Sequence, residues 1–235
     1  MHANSRPVTS NQTGIHDQLH ALTERHANTR YQRPIAAHGR QAFETAIAAW
    51  QAAGGAPLII DAGCGVGLST CKLAQRHPDS FVIGIDQSAD RLARELRWQG
   101  EMPGNHLLVR ADLVDFWRLM LDAGIHPARH YLLYPNPWPK KSQLARRWHG
   151  HPVFPALLAL KGQIECRSNW KIYIEEFAFA AAQITGIPVH CESLPPEPDA
   201  LTPFEEKYRA SGHPLWRCQL TLPALISPSG APADS

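Results

Sequence analysis

Short apolar runs alternate with helix-patterned segments along most of this chain, and three of the first four runs lead into a carboxylate. Leu58-Ile59-Ile60 ends at Asp61, Phe81 to Ile85 ends at Asp86, and His106 to Val109 leads to Asp112, while Tyr131 to Tyr134 forms the fourth run. Runs this short with little polar alternation read as strands buried on both faces. Between and around them, Ala42 to Ala53, Ser69 to Gln75, Ala89 to Trp98, Leu113 to Ala123, Phe154 to Leu160 and Ile172 to Ile184 read as helices. Gln163 to Arg167 is expected as a fifth strand and Leu215 to Leu222 as a late one. Strands alternating with helices predict an α/β fold with a mostly parallel sheet and helices on both faces. Such sheets take ligands at the carboxyl ends of their strands, which is where the acids fall.

A chain of 235 residues, 44% of them hydrophobic, holds enough apolar mass for one sizeable core and excludes wholesale disorder. The expected domain spans residues 16–226, with a disordered polar arm at 1–15 and a flexible tail at 227–235. A formal charge of +2 argues against a surface that is basic throughout. The cysteines (Cys64, Cys71, Cys166, Cys191 and Cys218) are odd in number, without CxxC or metal-ligand spacing. No disulfide framework and no metal are therefore expected. No signal-peptide pattern and no membrane-length apolar run occurs, so the expected location is the cytoplasm. Proline is abundant, at 20 residues, and its placement proves informative.

The first strand runs into Asp61-Ala62-Gly63-Cys64-Gly65-Val66-Gly67 and then a helix. Glycines allow a sharp turn and let a ligand approach the backbone. The GxGxG spacing differs from the GxGxxG of dinucleotide sites. An acid ahead of Gly63, Gly65 and Gly67 suits a cationic amino-acid group better than a pyrophosphate. Asp86 closes the next strand, where a carboxylate accepts the hydroxyls of a ribose. Asp112 is placed to accept from an exocyclic adenine amine. Glycine turn, ribose acid and base-side acid in this order resemble the class I S-adenosylmethionine-dependent methyltransferases.

After the fourth strand comes Pro135-Asn136-Pro137-Trp138-Pro139-Lys140-Lys141. Alternating prolines fix φ and stiffen the loop, holding Asn136, Trp138 and Lys140 at the ligand edge of the sheet. This string, with Leu160-Lys161-Gly162-Gln163, Ser168-Asn169-Trp170, and Thr202-Pro203-Phe204-Glu205-Glu206-Lys207 downstream, resembles the bacterial tRNA (guanine-N7)-methyltransferase family. The resemblance runs over about residues 35 to 222. It implies a Rossmann-like class I methyltransferase fold with a seven-stranded sheet, S-adenosylmethionine at Asp61, Gly63, Gly65, Gly67, Asp86 and Asp112, and transfer to a guanosine of the tRNA variable loop. Lys140, Asn169, Thr202, Phe204 and Glu205 would bind that guanosine, with Asn136 and Glu205 as the catalytic pair.

The family has aspartates where this chain has Asn136 and Asn169. Guanine N7 attacks through an in-plane lone pair and sheds no proton, so the enzyme aligns the reactants and stabilises the cation that forms. An amide accepts and donates hydrogen bonds but opposes no positive charge. That leaves Glu205 as the carboxylate expected on the substrate side. Lys140, Lys141, Arg146 and Arg147 place four positive charges in eight residues, and Lys141, Arg146 and Arg147 are expected on the tRNA backbone. The assembly is expected as a monomer or homodimer. Two other readings stay open: a methyltransferase of the same build with another nucleophile, and a slow or non-catalytic tRNA-binding relative.

Overall fold

The computed structural model describes residues 5–94, 98, 101–195 and 199–223. In chain order the elements are α1 (Leu19–Ala27), α2 (Ala37–Ala52), β1 (Leu58–Ala62), α3 (Leu68–Arg76), β2 (Phe81–Asp86), α4 (Ala89–Leu92), β3 (His106–Arg110), α5 (Leu113–Asp122), β4 (Arg129–Leu133), α6 (Phe154–Ala159), β5 (Gly162–Ser168), α7 (Lys171–Thr185), β6 (Glu192–Ser193), α8 (Pro203–Ala210) and β7 (Trp216–Leu222). The sheet order is β3-β2-β1-β4-β5-β7-β6. β1 to β5 are mutually parallel, and β7 enters antiparallel between β5 and β6. The sheet is mostly parallel, as the pattern of strands and helices implied.

Both faces of the central strands are buried, and the side chains sort by alternation. Ile59, Val82, Tyr131 and Leu133 pack with Leu73 and Ala74 of α3 on one face. Leu58, Ile60, Ile83, Ile85, Leu132 and Ile164 point the other way into a larger core with α2, α5, α6 and α7. Helix α3 approaches β2 closely because Gly84 has no side chain: a Cβ there would lie 2.1 Å from Thr70 Oγ1. Strand order reverses at β1 and β4, which opens a crevice at their carboxyl ends.

Two expectations change. The helix expected over Ala89 to Trp98 ends at Leu92 with none of its residues buried, so packing gives it nothing to extend on. Residues 95–97 lie outside the described residues. The arm at 1–15 is not loose from residue 5 onward. Gln12 is buried in the body of the protein, and Ser10 Oγ donates to the Pro139 carbonyl at 2.6 Å. The tail at 227–235 lies outside the described residues. Among the described residues, no helix is long and apolar enough to cross a membrane.

Candidate active site

The glycine turn sits over the ends of β1 and β2. Gly63, Gly65 and Gly67 have φ of 80°, 61° and 85°, the left-handed region that side chains disfavour. A Cβ on Gly63 or Gly65 would meet nothing within 4 Å, so the space beside them is open, whereas one on Gly67 would strike Leu108 at 2.6 Å. Two are thus turns facing a ligand volume, and the third is a packing contact. The N–H groups of Gly63 and Cys64 donate to the Ile85 carbonyl at 2.8 and 3.1 Å, folding the turn across β2.

Asp61 is 1% exposed. Its Oδ2 accepts from Ser69 and Thr70 hydroxyls at 2.6 and 2.8 Å, and its buried Oδ1 has no partner. Burial pushes this carboxyl up to about 6, against the two hydroxyls that favour its ionised form. A buried acid with an open oxygen calls for a cation. Asp86 is also buried and braces the turn, Oδ2 accepting from Gly65 N–H at 3.0 Å and Oδ1 from Ser88 N–H at 2.8 Å. Asp112 caps α5 by accepting from Val114 N–H at 2.9 Å, and Arg33 donates to its other oxygen at 2.8 Å.

Across the crevice, the proline loop leaves β4 through Tyr134 (φ 54°) and turns again at Trp138 (φ 45°). Non-glycine residues hold such φ values at a cost of about 1–3 kcal/mol each, so the surroundings must enforce them. Tyr134 N–H donates to the Arg167 carbonyl at 2.9 Å. The Trp138 carbonyl accepts from Arg147 Nε at 3.1 Å and Nη2 at 3.0 Å. Asn136 and Lys140 are exposed on this loop, as are Lys141 and Arg146 beyond it. Arg146 lies 4.8 Å above the Trp138 ring.

Arg147, expected on a phosphate, is instead 0% exposed. Besides the Trp138 carbonyl it donates to Glu176 of α7 at 2.5 Å and to Gln12 Oε1 at 3.1 Å. Glu176 also accepts from His149 Nε2 at 2.9 Å, from the His16 N–H at 2.9 Å, and from the Gln12 amide. Burial pushes Glu176 up, but His149 and Arg147 outweigh it and hold the carboxyl down at about 2. The H-x-H pair His149 and His151 does not converge: His149 serves Glu176, and His151 packs against Tyr31 and Trp148. Sequence reading missed Glu176 as the hub of this network. Its signal was an acid on the buried stripe of α7, beside Tyr173 and Phe177.

The third wall comes from the end of β5 and from α8. Thr202 caps α8 by accepting from Glu205 N–H at 2.9 Å, Pro203 follows it, and acids fill the first turn. Thr202 through Glu205 is a T-x-x-E capping pattern, a signal that would have located this helix. Glu205, expected to face the substrate, is 0% exposed, between Arg167 at 3.2 Å and Arg209 at 2.6 Å. Burial and the Glu205 charge push the neighbouring Tyr134 phenol well up. Phe204 is exposed and stacks on Tyr208, which stacks on His213. His213 Nε2 meets only the Ser5 carbonyl at 2.9 Å and so donates. His213 Nδ1 then accepts from the Asn169 amide at 3.2 Å, leaving the Asn169 carbonyl oxygen for another donor. Among the described residues, no group of three His, Cys, Asp or Glu side chains is placed to hold a metal ion.

A doubly wound sheet with this order reversal, a glycine turn after its first strand and an antiparallel β7 defines the class I methyltransferase fold. The structure is similar to the 16S rRNA methyltransferase KamB, with TM-score 0.52 and 17% identity over 83% of this chain and 97% of that one. It is likewise similar to a 16S rRNA (adenine(1408)-N(1))-methyltransferase from Catenulisporales acidiphilia solved with cosubstrate SAM, with TM-score 0.51 and 16% identity over 77% of this chain and 93% of that one. These likenesses show the fold. The chain belongs to the family described as "Putative methyltransferase", which it matches over residues 55–218. Among its relatives are proteins named tRNA (guanine-N(7)-)-methyltransferase. That of Ralstonia pickettii is 29% identical over 71% of this chain and 68% of its own length. That of Thiobacillus denitrificans is 29% identical over 68% and 73%.

Proposed function

We propose that this protein transfers a methyl group from S-adenosylmethionine to N7 of a guanosine in tRNA, the variable-loop guanosine by resemblance. The observation that carries the reading is Asp61 Oδ1, buried and unpartnered beneath an open glycine turn at the crevice where the strand order reverses. That oxygen suits the ammonium of an amino-acid ligand, and Gly63 and Gly65 leave room for its backbone-like end. Asp86 keeps lone-pair capacity for a ribose hydroxyl while bracing Gly65. Asp112 serves an adenine amine by sharing the oxygen that Arg33 now holds. S-adenosylmethionine supplies a sulfonium methyl that a lone pair attacks directly.

The residues across the crevice then have positional roles. The guanine arrives with N7 unprotonated, so no general base is required, and the loop's stiffness sets the attack geometry. Asn136 and the free carbonyl oxygen of Asn169 accept from the Watson–Crick edge of the base. Phe204 offers an exposed aromatic face for stacking. Thr202 and Glu205 act through α8: the first caps it, and the second ties it to Arg167 on β5, so both position the pocket. Lys140, Lys141 and Arg146 face the RNA. We place the reaction in the cytoplasm, where the five free thiols stay reduced.

The test is to incubate unmodified tRNA with methyl-labelled S-adenosylmethionine and digest the product to nucleosides. Labelled 7-methylguanosine is expected. A different labelled nucleoside would move the assignment to another nucleophile, and cofactor binding without any labelled product would leave a non-catalytic relative.

A further inference from the structure

Helix α8 ends in a turn that carries a histidine back over its own last coil. Gly212 takes a φ of 71°, its N–H donates to the Arg209 carbonyl at 3.0 Å, and the His213 N–H donates to the Tyr208 carbonyl at 3.0 Å. This closure lays the His213 ring on Tyr208, with 5.4 Å between centroids and 12° between planes, and Tyr208 stacks in turn on Phe204. With its plane fixed, the ring meets one group at each nitrogen. The Ser5 carbonyl lies 2.9 Å from Nε2, and the Asn169 side-chain nitrogen lies 3.2 Å from Nδ1. A carbonyl only accepts, so in the neutral ring Nε2 carries the proton and Nδ1 presents a lone pair. The charged groups on the flanking elements are Arg6 of the arm, Lys171 of α7, and Glu205, Glu206, Lys207 and Arg209 of α8. Of these, Glu205 is taken by Arg167 and Arg209, and Lys171 by Glu175.

We propose that His213 is a specificity-determining positioning residue, whose Nδ1 lone pair holds the Asn169 amide with its NH2 group inward and its carbonyl oxygen towards the substrate base. The inference rests on the guanine reading above and adds what sets the polarity of that contact. The two ends of an amide are nearly equal in size, so shape alone does not choose between them. The choice matters, because the Watson–Crick edge of guanine offers N1–H and N2–H donors, which a carbonyl accepts and an NH2 group opposes. A proton on Nδ1 turns that nitrogen into a donor and reverses the amide, setting N–H against N–H at the base. The pairing also accounts for the amide at this position. A carboxylate, which the resemblance places here, would face the Nδ1 lone pair with no proton between them unless the ring were charged. Asn169 gives a neutral ring a donor instead. Ser5, 208 residues away, selects the tautomer by accepting from Nε2, and its own N–H is held by Ser211 Oγ at 3.1 Å.

The test begins with the free full-length protein, by heteronuclear NMR of the His213 ring nitrogens and the Asn169 side-chain amide across the pH range in which histidines change charge. The neutral ring is expected to carry its proton on Nε2, and the Asn169 amide signals are expected to shift as the ring takes up a second proton. A neutral ring protonated on Nδ1, or an amide that ignores the titration, overturns the proposal. Kinetics with unmodified tRNA, at saturating S-adenosylmethionine to hold cofactor occupancy constant, then follow KM and kcat for 7-methylguanosine formation. His213→Phe keeps a ring on Tyr208 but loses the lone pair, and is expected to raise KM for tRNA by about 10-fold with kcat changed less than about twofold. His213→Asn keeps an acceptor near the place of Nδ1 and is expected to recover most of that loss. In the wild type KM is expected to rise by about 10-fold as the ring is protonated. Both variants are expected to lose that rise, as is Asn169→Asp, which accepts from a charged ring. Equal KM values for the Phe and Asn variants, or an acid rise that persists in both, overturn the proposal. A wild type that makes no 7-methylguanosine sinks the guanine reading alone, because the tautomer and the amide response are measured without RNA and still decide the hold of His213 on Asn169.

Discussion

Replacing Arg147 by Met separates a buried strut from a surface phosphate ligand. The substitution keeps volume and stem but removes a guanidinium that is wholly buried against Glu176, Gln12 and the Trp138 carbonyl. Glu176 is then left ionised, 0% exposed, with only neutral donors. Removing one partner of a buried pair costs about 3–5 kcal/mol, a large part of the roughly 5–15 kcal/mol that holds a protein folded. At an m-value of about 2–3 kcal/mol/M, the urea midpoint is expected to fall by about 1–2 M with m unchanged. Arg147→Lys keeps a charge but not the fork, and is expected to fall between wild type and Met. The acid limb gives an independent measure. The Glu176 carboxyl is depressed from 4.5 to about 2 in the folded state, so its contribution is fully present above pH 4.5 and lost as pH drops towards 2. That contribution is on the order of 3 kcal/mol, and Arg147→Met is expected to flatten wild-type acid sensitivity across this window. A midpoint shift under about 0.3 M, with the tRNA salt slope reduced by about 1, would show Arg147 at the surface on a phosphate and refute the reasoning.

Three further outcomes follow from the site. Asn136→Asp restores a negative charge beside the base and is expected to raise the rate of 7-methylguanosine formation by roughly 10- to 100-fold in single-turnover assays, from about 1.5–3 kcal/mol for a charge-assisted contact; an unchanged or lower rate removes the charge argument. S-adenosylmethionine affinity followed by calorimetry across pH 5–8 is expected to fall roughly tenfold per unit below about 6, where the raised Asp61 carboxyl takes up its proton, and Asp61→Asn is expected to bind weakly and without that dependence. In the free protein the raised Asp61 value favours the folded state at low pH, and this contribution is lost as pH rises through about 6, so the cofactor is expected to raise Tm more at pH 7.5 than at pH 5. Glu205→Gln removes a wholly buried carboxylate that accepts from Arg167 and Arg209, while Arg167 keeps its pair with Glu165, and is expected to cost about 1–3 kcal/mol in urea unfolding; full stability with a large loss of kcat would instead make Glu205 a direct catalytic group.

What the sequence disclosed and what it concealed divide along the range of the interactions involved. Asp61, Asp86 and the glycines were legible because each is specified by its neighbours: an apolar run sets the strand, the next residue must be its carboxyl end, and left-handed backbone selects glycine. Helix α8 is equally legible, since Thr202, Pro203 and Glu205 spell a capped start. Arg146 and Arg147 were not separable by any local rule. They are adjacent, identical in type and in one basic run, yet one stacks in the open on Trp138 and the other is buried. The difference is made by Glu176, 29 residues on, and by Gln12, 135 residues back. One half of that answer was available, because an acid on the buried stripe of α7 requires a cationic or donor partner. The requirement names no partner, and four basic residues were candidates within the same loop. The arm is decided by distant partners in the same way. Its polar composition predicts disorder only if its polar groups have nowhere to go, and in this fold Gln12 and the His16 N–H complete the coordination of a buried carboxylate that the rest of the chain leaves partly unsatisfied.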